Sequence, residues 1–175
     1  MTGFRLRRGG AQEYFGVTPD LAVFAKGISN GVPLSCYVGR AEVMDKVEEV
    51  VISSTFGGDA LGLAAAEATL DVYEKEDVIG TLWARGRQLH EGFNSHCRRL
   101  GVPASFRGLP PAGQLVFEHP DSALFLRFNG EVLKRGVIIY TVCYPNYSHT
   151  ETDVAEAVAA MGEALEAMKV EGLFD

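Results

Sequence analysis

Pro19-Asp20-Leu21-Ala22-Val23-Phe24-Ala25-Lys26-Gly27-Ile28-Ser29-Asn30-Gly31 is the stretch around which the rest of the chain is organised. Five apolar residues, Leu21 to Ala25, run straight into one lysine, and two glycines follow within the next five residues. An apolar run of this length between Pro and Gly predicts a short buried strand. Lys26 then falls at the strand's carboxyl end, where open α/β sheets bind their ligands. Burial at such a place disfavours a charged amine, and a desolvated lysine is the kind that forms a Schiff base. The same spacing also fits a lysine that snorkels from the strand end into water. The residues of this stretch alone leave both readings open.

The residues ahead of it narrow the choice. Thr2-Gly3-Phe4-Arg5 is followed by Gly9-Gly10-Ala11-Gln12-Glu13-Tyr14-Phe15-Gly16-Val17-Thr18, which leads into Pro19. Together with Lys26 this ordered run resembles the cofactor-lysine segment of the class III (ω-type) aminotransferases, which use pyridoxal 5'-phosphate (PLP). It most resembles the branch around glutamate-1-semialdehyde aminomutase. The resemblance implies an α/β protein of the fold-type I PLP-dependent transferases. It implies that Lys26 holds the cofactor's aldehyde as a Schiff base, is displaced by the amino substrate, and then shuttles the α-proton. In the resembled family an Asp-Glu-Val-x group precedes Thr-Gly-Phe-Arg, and its aspartate pairs with the cofactor's pyridine nitrogen. Met1 takes the x slot here, so the resemblance places that aspartate just before the first residue and implies the rear part of a longer enzyme. Residues 1–78 are then expected to be the end of the large PLP-binding domain with an interface helix, and residues 79–175 the small C-terminal domain.

Bulk properties are those of an ordinary soluble globular protein. The chain is 47% hydrophobic and 22% charged, an ordinary globular composition for one domain or two small ones. A net charge of −7 argues against nucleic acid or an anionic membrane as the main partner. Cys36, Cys97 and Cys143 are far apart and odd in number, which fits a reducing cytoplasm better than a disulfide framework. His90, His96, His119 and His149 form no metal-ligand spacing, so no protein-held metal is expected. No apolar run is long enough to span a bilayer, and no signal pattern opens the chain.

The second candidate is Ser53-Ser54-Thr55-Phe56-Gly57-Gly58-Asp59-Ala60-Leu61. The paired glycines permit a tight turn, a helix is expected from about Ala60, and the N–H groups at such a helix start suit a phosphate. A plain turn with Asp59 as N-cap fits the same residues, because that carboxylate would repel a phosphate it faced. By resemblance, Thr55 reaches across a homodimer interface to the cofactor phosphate of the other subunit. The helix over residues 60–76 is apolar on most sides, so it is expected to be buried in a core or an interface.

Further along, offsets of three and four from Ile79 to Leu100 predict a long amphipathic helix that ends at Gly101. Trp83 and His90 lie on its apolar stripe and are expected to be packed rather than ligating. Arg40–Glu49 reads as another amphipathic helix, Leu34–Gly39 and Leu115–Glu118 as strands, and Pro120–Lys134 as a helix stopped at Gly136. Gly136–Thr141 reads as a β-branched strand. Thr150 to Asp153 forms a capping box ahead of a helix with Val154, Met161, Leu165 and Met168 on one face. His149 beside that cap is expected to be structural. Tyr140–Tyr147 holds no arginine, although some ω-aminotransferases carry a substrate-carboxylate arginine near this place.

The expected activity is PLP-dependent amino transfer between a small-molecule amino donor and a keto or aldehyde acceptor. An intramolecular aminomutase is the alternative. A non-catalytic dimerisation piece is a second alternative, and a cofactor-free Schiff-base lysine enzyme ranks last, because nothing here supports the (β/α) barrel it would usually need.

Overall fold

A computed structural model describes residues 3–52, 54–118 and 123–174. It divides into two units, Met1–Ile79 and Gly80–Asp175.

In the first unit, two short helices, α1 (Gly3–Leu6) and α2 (Ala11–Phe15), precede the strand. Gly16 closes the second of these in the left-handed region at φ 66°. The apolar run Leu21–Ala25 is strand β1. It pairs antiparallel with β2 (Ser35–Gly39), in a register running from Leu21 opposite Gly39 to Ala25 opposite Ser35. The strand stands where its composition puts it, but it is not buried: Val23 is 74% exposed. Among the described residues β2 is the single strand bonded to β1, so the pair forms a ribbon rather than the interior of a wide sheet.

The expected helix over Arg40–Glu49 divides into α3 (Ala41–Met44) and a tighter 3₁₀ turn, Asp45–Glu49. Val43 and Val50 in and after it are exposed, while Val47 is half-buried. α4 (Ala60–Lys75) forms as the residues predict, yet its buried positions are Gly62 and Ala66. Leu61, Leu63, Leu70 and Val72 are exposed, so this chain's own residues do not supply the core half of the expected core-or-interface burial. A helix apolar all round needs cover on every side. The described residues cover one side, where Pro33 and Leu34 come so close that a Cβ on Gly62 would sit 3.3 Å from Leu34 Cδ1.

The second unit is built differently. α5 (Val78–Leu100) ends in a Schellman turn: Val102 N–H donates to the Cys97 carbonyl at 3.0 Å, and Gly101 takes φ 68°. A three-stranded antiparallel sheet follows in the order β3 (Ala104–Arg107), β4 (Gly113–Phe117), β5 (Val142–Cys143), with α6 (Leu124–Lys134) between the last two strands. The expected start of α6 at Pro120 to Ser122 lies outside the described residues. β3 is too short to announce itself by alternation.

The strand expected over Gly136–Thr141 is instead displaced to Val142 and Cys143. The ladder to β4 is formed at Gly113–Cys143 and Gln114–Val142, and Ile138 and Tyr140 stand exposed. β-branched composition gives the propensity, but a strand exists only where a neighbour supplies the ladder.

α7 (Glu151–Val170) carries the full capping box. Thr150 Oγ1 accepts from Asp153 N–H at 3.1 Å, while Thr150 N–H donates to Asp153 Oδ2 at 2.7 Å. Phe93, Phe128, Val132, Met161, Leu165 and Met168 are fully buried in one core with Phe106 and Leu115 from the sheet. Phe93 meets Phe106 and Phe128 edge-on at 5.3 and 5.8 Å.

Candidate active site

Lys26 is the first residue after β1 and opens a 3₁₀ turn, Lys26–Ile28. Its side chain is exposed, which matches the alternative of a lysine reaching from the strand end into water. Its backbone is unusual instead. Lys26 has φ 59°, and Asn30 in the same connection has φ 44°. A long L side chain in the left-handed region costs on the order of 1–3 kcal/mol and persists where the surroundings over-determine it.

Those surroundings are visible. The Lys26 carbonyl accepts from the N–H groups of Ser29 at 3.3 Å and Asn30 at 3.2 Å. Ser29 is 2% exposed; its Oγ donates to the Val32 carbonyl at 2.5 Å, and Val32 N–H returns a bond to the Ser29 carbonyl at 3.3 Å. Gly31, at φ 116°, permits a turn that residues with a Cβ rarely adopt.

Beneath the connection, Ile28 is buried and Phe4 meets Phe24 and Tyr73 edge-on at 6.0 and 5.5 Å. Tyr73 donates from its hydroxyl to the Phe4 carbonyl at 2.8 Å. Burial pushes that phenol up, against the opposing pull of the Arg5 charge. Phe4 thereby ties α4 to the strand that carries Lys26.

Thr55 lies exposed in the turn ahead of α4. Gly57 N–H closes the turn on the Ser54 carbonyl at 3.2 Å, and Gly58 takes φ 77°. Asp59 is the N-cap of α4, accepting from Gly62 N–H at 2.8 Å. The capping alternative is therefore realised, and a carboxylate stands at the helix start, where it would repel a phosphate that it faced. Ser53 lies outside the described residues. Lys26 and Thr55 sit in two turns of the first unit, each closed by its own hydrogen bonds.

His149 is held in place locally: its ring bonds the Asn146 side chain at 3.1 Å, and its N–H donates to Asn146 Oδ1 at 3.2 Å. His90 stacks flat on Phe106 at 4.8 Å, over Gly113, where a Cβ would collide with the ring. Burial pushes the His90 pKa down, and Nε2 finds no hydrogen-bond partner among the described residues. The three cysteines are free, and burial pushes the Cys97 thiol up to about 12.

A cavity of about 450 Å³ in the second unit was not legible in the sequence. Leu89, Val137, Ile139, Tyr140, Cys143 and His149 are among its lining residues, and none of that lining is arginine or lysine. Among the described residues no group of His, Cys, Asp and Glu could hold a metal ion, and no helix is long and apolar enough to cross a membrane.

The model of the family described as aminotransferase class-III matches residues 1–165. The chain belongs to the class III aminotransferases.

Among curated members, it is 33% identical to a 3-aminobutyryl-CoA aminotransferase from Cloacimonas acidaminovorans, covering 96% of this chain and 42% of that one. It is 32% identical to a glutamate-1-semialdehyde 2,1-aminomutase from Clostridium novyi, covering 97% of this chain and 43% of the relative. Of solved structures, the FumI protein of Sphingopyxis sp. MTA144 in its PLP internal aldimine form matches with a TM-score of 0.92 and 27% identity, over 98% of this chain and 42% of that one. The fold is accordingly that of the PLP-dependent transaminases, a mixed α/β fold. The chain spans less than half the length of the relatives it matches.

Proposed function

We propose that this chain carries the cofactor-lysine portion of a PLP-dependent amino-group transferase, with Lys26 as the reacting amine. The observation that carries the reading is Lys26 itself: an exposed amine at the end of an apolar strand, on a backbone held in a strained turn, in a chain of this family. PLP, when bound, supplies the electron sink that lets a substrate's α-C–H bond ionise. The residues present fit the cofactor in one respect, since Lys26 Nζ is free to attach covalently to its aldehyde carbon.

With the cofactor and a substrate amine bound, Lys26 Nζ would be the base that takes up the α-proton and returns it. Thr55 Oγ1 is assigned to the phosphate of a second subunit's cofactor, which makes the working unit a homodimer; the three free, scattered cysteines support a cytoplasmic location. The proposed division of labour gives residues 1–78 to the large cofactor domain and 79–175 to the small C-terminal domain.

A second reading is supported by the name of the Clostridium novyi relative: the amino group moves within one molecule, as in an aminomutase. Product analysis with and without a keto-acid acceptor separates the two, because a mutase needs no acceptor.

The test of the main reading is borohydride trapping of this chain after soaking in PLP, read by peptide mass, with Lys26→Ala as control. A single reduced adduct on the Lys26 peptide, absent in the variant, is expected. Equal labelling of Lys46, Lys75 and Lys134 in both proteins would overturn the assignment.

A further inference from the structure

We propose that Ser29 is a positioning residue for Lys26, locking the left-handed backbone from which the amine projects. The inference rests on the reading that Lys26 is the reacting amine, and it deepens that reading. Glycine adopts a positive φ freely, and lysine does not. Position 26 has to carry an amine, so the conformation that glycine would supply without cost has to be enforced from outside the residue. Lys26 and Asn30 are the non-glycine residues with positive φ among the described residues, and both lie in the connection between β1 and β2.

Ser29 stands between them and ties both ends. Its N–H donates to the Lys26 carbonyl at 3.3 Å. Its carbonyl accepts from Val32 N–H at 3.3 Å, and its Oγ donates to the Val32 carbonyl at 2.5 Å. The hydroxyl is the one side-chain link in this set, and the residue is 2% exposed, so water is not at hand to replace it. Without it the 29–32 turn keeps one backbone bond, and Lys26 is free to relax toward an ordinary φ. That swings Nζ away from the direction set by β1.

The test compares wild type, Ser29→Ala and Ser29→Thr as the full chain, at a temperature where thermal melts show all three folded. Two quantities are read. The first is hydrogen exchange at the amides of Ser29, Asn30 and Val32. The second is the rate of PLP adduct formation at Lys26, trapped by borohydride, relative to Lys46 and Lys75 in the same sample.

In Ser29→Ala, amide protection at 29 and 30 is expected to fall, and the Lys26 rate to drop about tenfold while Lys46 and Lys75 are unchanged. Ser29→Thr, which keeps the hydroxyl, is expected to restore both. Unchanged protection and an unchanged Lys26 rate in Ser29→Ala would overturn the proposal. So would rapid exchange of these amides in the wild type, a result that stands even if Ser29→Ala does not fold. A wild-type Lys26 that reacts no faster than Lys46 counts against the PLP reading instead, and the amide protection then decides the role of Ser29 by itself.

Discussion

The two units use their apolar residues in opposite ways. In Gly80–Asp175 the large side chains close on one another, and Phe93, Phe128, Met161 and Leu165 have no exposed surface. In Met1–Ile79 the strand and the long helix turn much of their apolar surface outward, as at Val23, Leu61 and Leu63. What orders the first unit is largely backbone: paired turns, positive φ values, and the ring contacts of Phe4. The second unit is held by packing, and the first by the geometry that presents Lys26. A strained lysine is a local defect that burial does not explain, and such defects gather where function needs a fixed direction.

The largest effect that sharpens this contrast is expected at Phe128. Phe128→Ala removes a fully buried ring that touches Phe93 and Phe117, and about 3–5 kcal/mol of stability should be lost. Urea unfolding followed by far-UV circular dichroism measures it. A loss below about 1 kcal/mol would break the idea that this core governs the second unit.

In the first unit the sensitive positions should be turns. Gly31→Ala meets open space, so sterics against neighbours cost nothing, yet φ 116° is foreign to alanine. A cost on the order of 1–3 kcal/mol is expected, together with loss of amide protection in the 26–32 connection. Native-state hydrogen exchange reads both.

At the head of α7, Thr150→Ala removes one half of the capping box, and about 1 kcal/mol should go with it. A drop in the urea midpoint without a change in slope is the expected signature.

These cases also mark what the sequence could and could not disclose. The capping box, the β1 run and the span of α5 were legible because each depends on neighbours within one or two turns of chain. What covers α4 was not, because an apolar helix surface says that cover is wanted without saying whether this chain's own core supplies it. Gly136–Thr141 failed as a strand for a related reason. Its β-branched residues were counted, but the partner ladder starts at Val142, and nothing local reveals a register set by β4. The site divides in the same way. Lys26 was legible as a residue type in a pattern, whereas its positive φ and the buried hydroxyl of Ser29 emerge only when the connection closes on itself.

A smaller effect should appear with pH in the second unit. Burial holds the His90 pKa below its ordinary value of 6.5, so the folded chain keeps this ring neutral while the unfolded chain takes up the proton more readily. The stability attached to the neutral ring is complete above about pH 6.5 and is lost progressively as pH falls below it. Urea midpoints measured between pH 7.5 and pH 5 should decline, and the decline should flatten in His90→Gln. An undiminished slope in that variant would assign the acid sensitivity to other groups.

The smallest effect is the one that most directly probes the exposed face. Val23 is 74% exposed on β1, so Val23→Thr, which keeps the branched shape and the strand propensity, should change the stability of this chain by less than about 0.5 kcal/mol. The measurement is the urea midpoint at several protein concentrations. A shift of several times that size, growing with concentration, would mean that a second copy covers β1 in solution and that the openness of the first unit belongs to the isolated chain alone. A flat result would leave the contrast as drawn: a packed unit whose stability answers to single side chains, and a turn-built unit whose outward apolar residues answer to almost none.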